Sequence, residues 1–187
     1  MRSLFFRLLV AGSCVAFAGG CSTWTSESIR ATFDSGVAAY DAGHYEEAYK
    51  IFDSLDGIDL AAMRNAGLML RKGQGVEKDP KAAMRILART ANAGSALAAA
   101  DVGEMLLDGE AGPPDPKAAL PWLEGAADAG HPIAEYELGT LYEQGSVVTK
   151  DLTKARTLYT DAAARGVPGA AERLAALPAA PDAKPGP

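Results

Sequence analysis

Few residues in this chain have the type and spacing for catalysis, and what they could do is soon bounded. His44 and His131 stand singly at turns, with no second ligand at metal-site spacing beside either. A lone imidazole in a turn reads as a solvated side chain. Glu46 and Glu47 are adjacent carboxylates, the raw material of acid–base work, yet they open a helix, where negative charge favours the positive end of the macrodipole. Gly73-Gln74-Gly75 follows a helical pattern rather than a strand, so it is a turn and not a phosphate loop. There is no H-E-x-x-H, G-x-S-x-G, S-x-x-K or Walker-type sequence. The rival enzyme reading, a hydrolase directed at peptidoglycan or a β-lactam, would need a nucleophile beside a base, and the serines have no such neighbour in sequence. No metal or cofactor is expected. What remains is one thiol, Cys21, and two guanidiniums, Arg64 and Arg71, able to grip a carboxylate through paired hydrogen bonds.

Cys21 closes an export-signal pattern. Arg2 and Arg7 give residues 1–20 a positive start, residues 8–18 form a short apolar stretch, and Ala18, Gly19 and Gly20 supply small residues before the cysteine. The apolar stretch falls short of the ~20 residues that span a bilayer. Ala18-Gly19-Gly20-Cys21 resembles a bacterial lipobox, in which the cysteine is lipidated and becomes the mature N-terminus; Ala18 departs from the leucine most common there. Ser22 after the cysteine, rather than aspartate, implies in that family an outer-membrane lipoprotein facing the periplasm. The alternative is cleavage after Ala16-Phe17-Ala18, which releases a soluble periplasmic protein. With Cys14 inside the signal, the mature chain has no disulfide to form. Without Arg2 and Arg7 the 18 basic residues become 16, against 24 acidic ones, a net charge of −8. That argues against a nucleic-acid partner and against electrostatic adhesion to anionic lipid.

The body of the chain repeats. Gly67, Gly103 and Gly139 recur every 36 residues, as do Gly73, Gly109 and Gly145, then Asp79, Asp115 and Asp151, then Gly94, Gly130 and Gly166. A period of this size marks a solenoid, whose units contact only their neighbours. The second half of each unit is an amphipathic helix. Asp79 and Asp115 are N-cap residues followed by Pro80 and Pro116 at the first helical position. Apolar residues then run at helical spacing: Ala83, Ile86, Leu87 and Ala91 with Thr90 as an interruption; Ala119, Trp122, Leu123, Ala126 and Ala127; Ala155, Leu158, Tyr159, Ala162 and Ala163. Gly94, Gly130 and Gly166 end these helices in the left-handed conformation. Pro121 lies inside the second of them and removes a backbone hydrogen bond, which predicts a local bend. In the first half of each unit a glycine falls mid-helix, at ~1 kcal/mol relative to Ala. Close approach of the partner helix is the expected compensation.

Residues 134–145, Ala-Glu-Tyr-Glu-Leu-Gly-Thr-Leu-Tyr-Glu-Gln-Gly, resemble the first helix of a Sel-1-like repeat, and Asp151 through Gly166 its second. Units one and two lack the tyrosines. Upstream, Gly36, Gly43, Tyr45, Ala48, Phe52 and Leu55 are similar to the tetratricopeptide pattern. The resemblance implies an all-α fold, a right-handed α-solenoid of antiparallel helix pairs. The expected organisation is a signal over 1–20, a linker over 21–28, a tetratricopeptide-like unit over 29–59, and Sel-1-like repeats over 60–95, 96–131 and 132–167. A capping helix over 168–177 and a Pro/Ala/Gly-rich disordered tail over 178–187 follow.

The resemblance also implies a binding module. Related proteins line a concave groove with their first helices, and the groove-facing positions here are Arg30, Phe33, Val37 and Tyr40; Arg64, Leu68 and Arg71; Ala100, Glu104 and Leu107; and Tyr136, Thr140 and Glu143. Phe33 and Tyr136 could equally pack between helices. A protein or peptide partner is expected, with an acidic segment or free C-terminus as the ligand of Arg64 and Arg71. Reversing both charges is expected to abolish capture and leave stability nearly unchanged. Family members serve as scaffolds in envelope assembly, exopolysaccharide secretion or periplasmic signalling. Some secreted ones have a penicillin-binding activity, but those are rich in paired cysteines, which this chain lacks.

Overall fold

A computed structural model describes residues 24–178; the signal, Cys21 and residues 179–187 lie outside the described residues. Nine helices follow one another among these residues: α1 (Ser26–Asp41), α2 (Tyr45–Ser54), α3 (Leu60–Lys72), α4 (Pro80–Asn92), α5 (Ala96–Asp108), α6 (Pro116–Asp128), α7 (Pro132–Gln144), α8 (Leu152–Ala164) and α9 (Ala170–Ala176). There is no strand among them. Each helix packs on the next, and α5 also touches α7, so the first helices of successive units lie side by side. The result is a right-handed solenoid of antiparallel pairs, with α9 laid against α8.

The cap chemistry is local and repeats. The Asp79, Asp115 and Asp151 carboxylates accept from the backbone N–H groups of Ala82, Ala118 and Lys154, each at 2.9 Å. Their own N–H groups return to Leu70, Leu106 and Tyr142 carbonyls at 3.0, 2.8 and 3.0 Å, so one aspartate starts the second helix and ties it to the first. Gly73, Gly109 and Gly145 end the first helices at φ 73, 71 and 72°, and Gly94, Gly130 and Gly166 follow the second at φ 104, 79 and 77°. These are conformations that a Cβ disfavours.

Packing explains the mid-helix glycines. A Cβ on Gly67, Gly103 or Gly139 would lie 2.9, 2.5 or 2.9 Å from a side-chain carbon of Leu87, Leu123 or Tyr159. Those three are fully buried, and burying each contributes roughly 1.5–3 kcal/mol. Thr90, the polar interruption in the first stripe, is buried as well, and its hydroxyl donates to the Ile86 carbonyl at 2.8 Å. α6 continues through Pro121, whose side is exposed, so water can take up the carbonyl that loses its donor.

Two boundaries differ from the sequence reading. Residues 26–28, expected in the linker, belong to α1, because Thr25 and Ser28 form a capping box: Ser28 N–H donates to Thr25 Oγ1 at 3.1 Å and Thr25 N–H to Ser28 Oγ at 2.9 Å. The same serines and threonines that read as a polar spacer are helix-start residues. The closing helix is also shorter than its segment, since Pro168 and Gly169 form the turn into it.

Candidate binding face

Val37 and Tyr40 of α1 meet Leu68 of α3 around a recess of about 200 Å³. Buried Phe52 and Met69 also line it, and Asn65, Lys72 and Gln74 supply its polar groups. The Tyr40 hydroxyl donates to Gln74 Oε1 at 3.1 Å, which holds the ring in place. Lys72 is exposed and makes no ion pair among the described residues. Apolar walls with a few convergent polar groups are the usual make-up of a binding pocket.

A wider hollow adjoins the recess and shares Leu68 and Lys72 with it. Arg64 and Arg71 lie here, as expected, but neither guanidinium awaits a ligand. Arg64 donates from Nε to Asp101 Oδ2 at 2.5 Å and from Nη2 to Asp101 Oδ1 at 3.0 Å. Arg71 donates from Nε to both Glu110 oxygens at 2.9 Å, from Nη2 to Glu110 Oε1, and from Nη1 to Glu104 Oε2 at 2.6 Å. The Arg71 hydrogen bond holds Glu110 below the usual carboxylate range, and Glu110 in turn raises Arg71. The cationic pair read as a grip for an acidic partner is therefore neutralised by α5 and the turn after it, and Glu104 is engaged in the same cluster.

The remaining groove positions divide. Tyr136, Thr140 and Glu143 are brought together around Tyr159, whose hydroxyl donates to Glu143 Oε2 at 2.7 Å and lies 3.1 Å from Thr140 Oγ1. Burial, first of all, pushes the Tyr159 phenol up. Arg173 of α9 reaches Glu143 at 3.4 Å, so this cluster joins the last repeat to its closing helix. Tyr136 packs on Tyr159 with ring centroids 5.6 Å apart, and Phe33 on Phe52 at 5.7 Å; both aromatics left open by the sequence pack between helices. Arg30 stands apart beside Asp34, at the end of α1 away from the recess.

His131 is not a solvated turn residue. It caps α7, its Nδ1 accepting from the Ala134 N–H at 3.3 Å, and burial pushes its pKa down, which keeps that lone pair available. His44 precedes α2, makes no cap bond and is exposed. Among the described residues no group of three or more His, Cys, Asp or Glu side chains could hold a metal ion, and no helix is long and apolar enough to cross a membrane.

Sequence reasoning missed Asn65, Lys72 and Gln74 in the recess and Asp101 and Glu110 in the hollow. The last two had a signal: each arginine finds its carboxylate 37 or 39 positions on, one repeat and a residue or three further. Opposite charges at that offset are neighbours only across stacked units.

A stack of capped helix pairs joined by close glycine contacts defines an α-solenoid repeat protein. The Sel1 repeat family matches residues 60–95, 96–131 and 132–167, and the chain belongs to that family. It is similar to a Sel1 repeat protein from Oxalobacter formigenes, with 33% identity over 76% of this chain and 58% of that one and a TM-score of 0.71. It is also similar to a protective antigen of uropathogenic Escherichia coli, with 25% identity over 78% of this chain and 32% of that one and a TM-score of 0.72. The chain thus spans less than two thirds of either structure. Helicobacter pylori cysteine rich protein B shares the fold at 16% identity, over 67% of this chain and 96% of that one, with a TM-score of 0.54. No curated protein matches the chain. Sel1 repeats generally mediate protein–protein contacts and are typically non-catalytic.

Proposed function

We propose that the protein is a non-enzymatic scaffold of the cell envelope, lipid-anchored at Cys21 to the periplasmic face of the outer membrane, that holds a segment of a partner protein on its first helices. The alternative placement, a soluble periplasmic form, follows if the signal is cleaved after Ala18. Envelope assembly, secretion and signalling are all compatible with such an adaptor. The observation that carries the reading is the recess between α1 and α3, where Val37, Tyr40, Leu68, Phe52 and Met69 surround a space of about 200 Å³ beside exposed Lys72. An apolar side chain of the partner would enter it. A neighbouring carboxylate would meet Lys72 rather than Arg64 or Arg71, which the protein neutralises itself.

A photo-crosslinking residue placed at Leu68 or Lys72 in periplasm tests this. A defined partner should crosslink there, and Leu68→Glu with Lys72→Glu should abolish capture while the helical circular dichroism signal is kept. Crosslinks from Lys117 or Arg156 on the second helices, with none from Leu68, would place binding on the other face and end the groove reading. Acylation by a labelled β-lactam would end the non-enzymatic one. Labelling by an alkyne-palmitate probe, lost in Cys21→Ala, decides between the anchored and soluble forms.

A further inference from the structure

The first helices run parallel, so the N-termini of α1, α3, α5 and α7 line one edge of the solenoid. Six large apolar side chains are exposed among the described residues, and five of them, Trp24, Ile58, Leu60, Leu97 and Ile133, sit at that edge, 37–51% exposed. Leu97 and Ile133 hold the same second position of α5 and α7. The sixth, Tyr45, opens α2 at the opposite edge and packs edge-on against Tyr40.

The two edges differ in charge as well. The first helices are capped by Thr25, Asp59, Ser95 and His131, of which only Asp59 is an acid. The second helices start on the opposite edge at Asp79, Asp115 and Asp151, beside Lys78, Lys117 and Lys150. One edge therefore carries the exposed apolar side chains and mostly neutral caps, with Asp56, Arg89, Asp128 and Arg165 as its charged residues between them, and the other has a charged residue at every second-helix start.

We propose that the apolar edge rests on the membrane surface, with Trp24, Leu60, Leu97 and Ile133 in the headgroup region. This rests on the reading of Cys21 as the lipid anchor. Cys21 lies three residues before Trp24, and three extended residues reach roughly 11 Å, so an anchored chain keeps the α1 end of this edge close to the bilayer. Tryptophan and branched aliphatic side chains suit that interface, and tethering supplies the second signal that a single weak contact lacks. Exposed carboxylates such as Glu27 and Asp128 near the edge favour a zwitterionic surface over an anionic one.

Cys21 is the one thiol of the chain after the signal, so it can be coupled to a maleimide-headgroup lipid in phosphatidylcholine vesicles containing brominated phosphatidylcholine. The reporter is a single tryptophan in a Trp24→Phe, Trp122→Phe background. Ile133→Trp, three units from the tether, should be quenched by bromine and shifted to the blue, and Tyr45→Trp should be neither. Leu97→Trp repeats the measurement, with circular dichroism confirming the fold of each variant. An unquenched tryptophan at both 97 and 133 overturns the proposal. So does a blue shift without bromine quenching that accompanies dimers in sedimentation, because the edge then joins two copies. The synthetic tether keeps this result separate from whether the cell acylates Cys21, which the palmitate probe answers.

Discussion

Gly103 of α5 and Leu123 of α6 compete for one space: a Cβ on the glycine would stand 2.5 Å from Leu123 Cδ2 and 2.7 Å from its Cγ. Alanine there gains ~1 kcal/mol of helix propensity but forces the leucine out of a filled core, which costs about 1–3 kcal/mol. The second effect wins. Gly103→Ala should lower stability in chemical denaturation, Gly67→Ala should do so less, because its Cβ would stand 2.9 Å from Leu87 Cγ, and Gly103→Leu should be worse than either. Equal effects at 67 and 103 would show that the crossing distance is not what the glycine serves.

Gly125 is the contrasting case. It lies inside α6, is exposed, and a Cβ would meet nothing within 4 Å. Gly125→Ala should therefore stabilise the protein by about 0.5–1 kcal/mol, read as a rise of a few degrees in melting temperature. A fall in melting temperature would contradict the open space seen there.

Features whose chemistry closes within a few residues are legible in the sequence: the aspartate caps, the proline after them, the glycine that ends each helix. The mid-helix glycines are legible because three units repeat them in step. What escapes is whatever depends on how units stack. Arg64 looks like a cation on an acidic protein until α5 brings Asp101 beside it. Thr140 and Glu143 read as groove residues until Tyr159 on the second helix claims their oxygens. Lys72 gives no sign of its place beside the recess, since one lysine in a last helical turn is ordinary and only the α1–α3 crossing makes it special. The Thr25 box was readable but was masked by its polar neighbours, which look like a linker.

The arginine pairs give a prediction opposite to the sequence expectation. Arg64 and Asp101 side chains are 25% and 11% exposed and joined by two hydrogen bonds, so losing one partner strands a mostly desolvated charge. Asp101→Ala should cost about 2–3 kcal/mol, and the Arg64→Ala, Asp101→Ala double variant less than the sum of the singles. The Arg64→Glu, Arg71→Glu double reversal places acids against Asp101, Glu104 and Glu110 and should lower the melting temperature clearly. An unchanged melting temperature would show that these pairs contribute nothing to the stack.

Glu135 offers a test through pH. Its side chain is 6% exposed, yet Oε2 has no hydrogen-bond partner among the described residues, and Arg165 stands 3.2 Å from Oε1. Burial raises its pKa above the ordinary 4.5, with Arg165 only partly opposing. The folded protein then holds this proton at pH values where the unfolded chain has released it. The stability the group contributes is full below about pH 4.5 and is lost as pH rises through the folded value. The same register position carries Met63 in the first repeat and Ala99 in the second, both buried, so the site accepts an apolar side chain. Glu135→Met should raise stability at pH 7 by about 1–3 kcal/mol, since Arg165 remains half in solvent and loses little. The gain should shrink as pH falls towards 4, where the wild-type carboxyl is protonated. Parallel urea titrations of both proteins between pH 4 and 8 measure it, and a gain that is constant across that range would show that packing, not the buried charge, separates them.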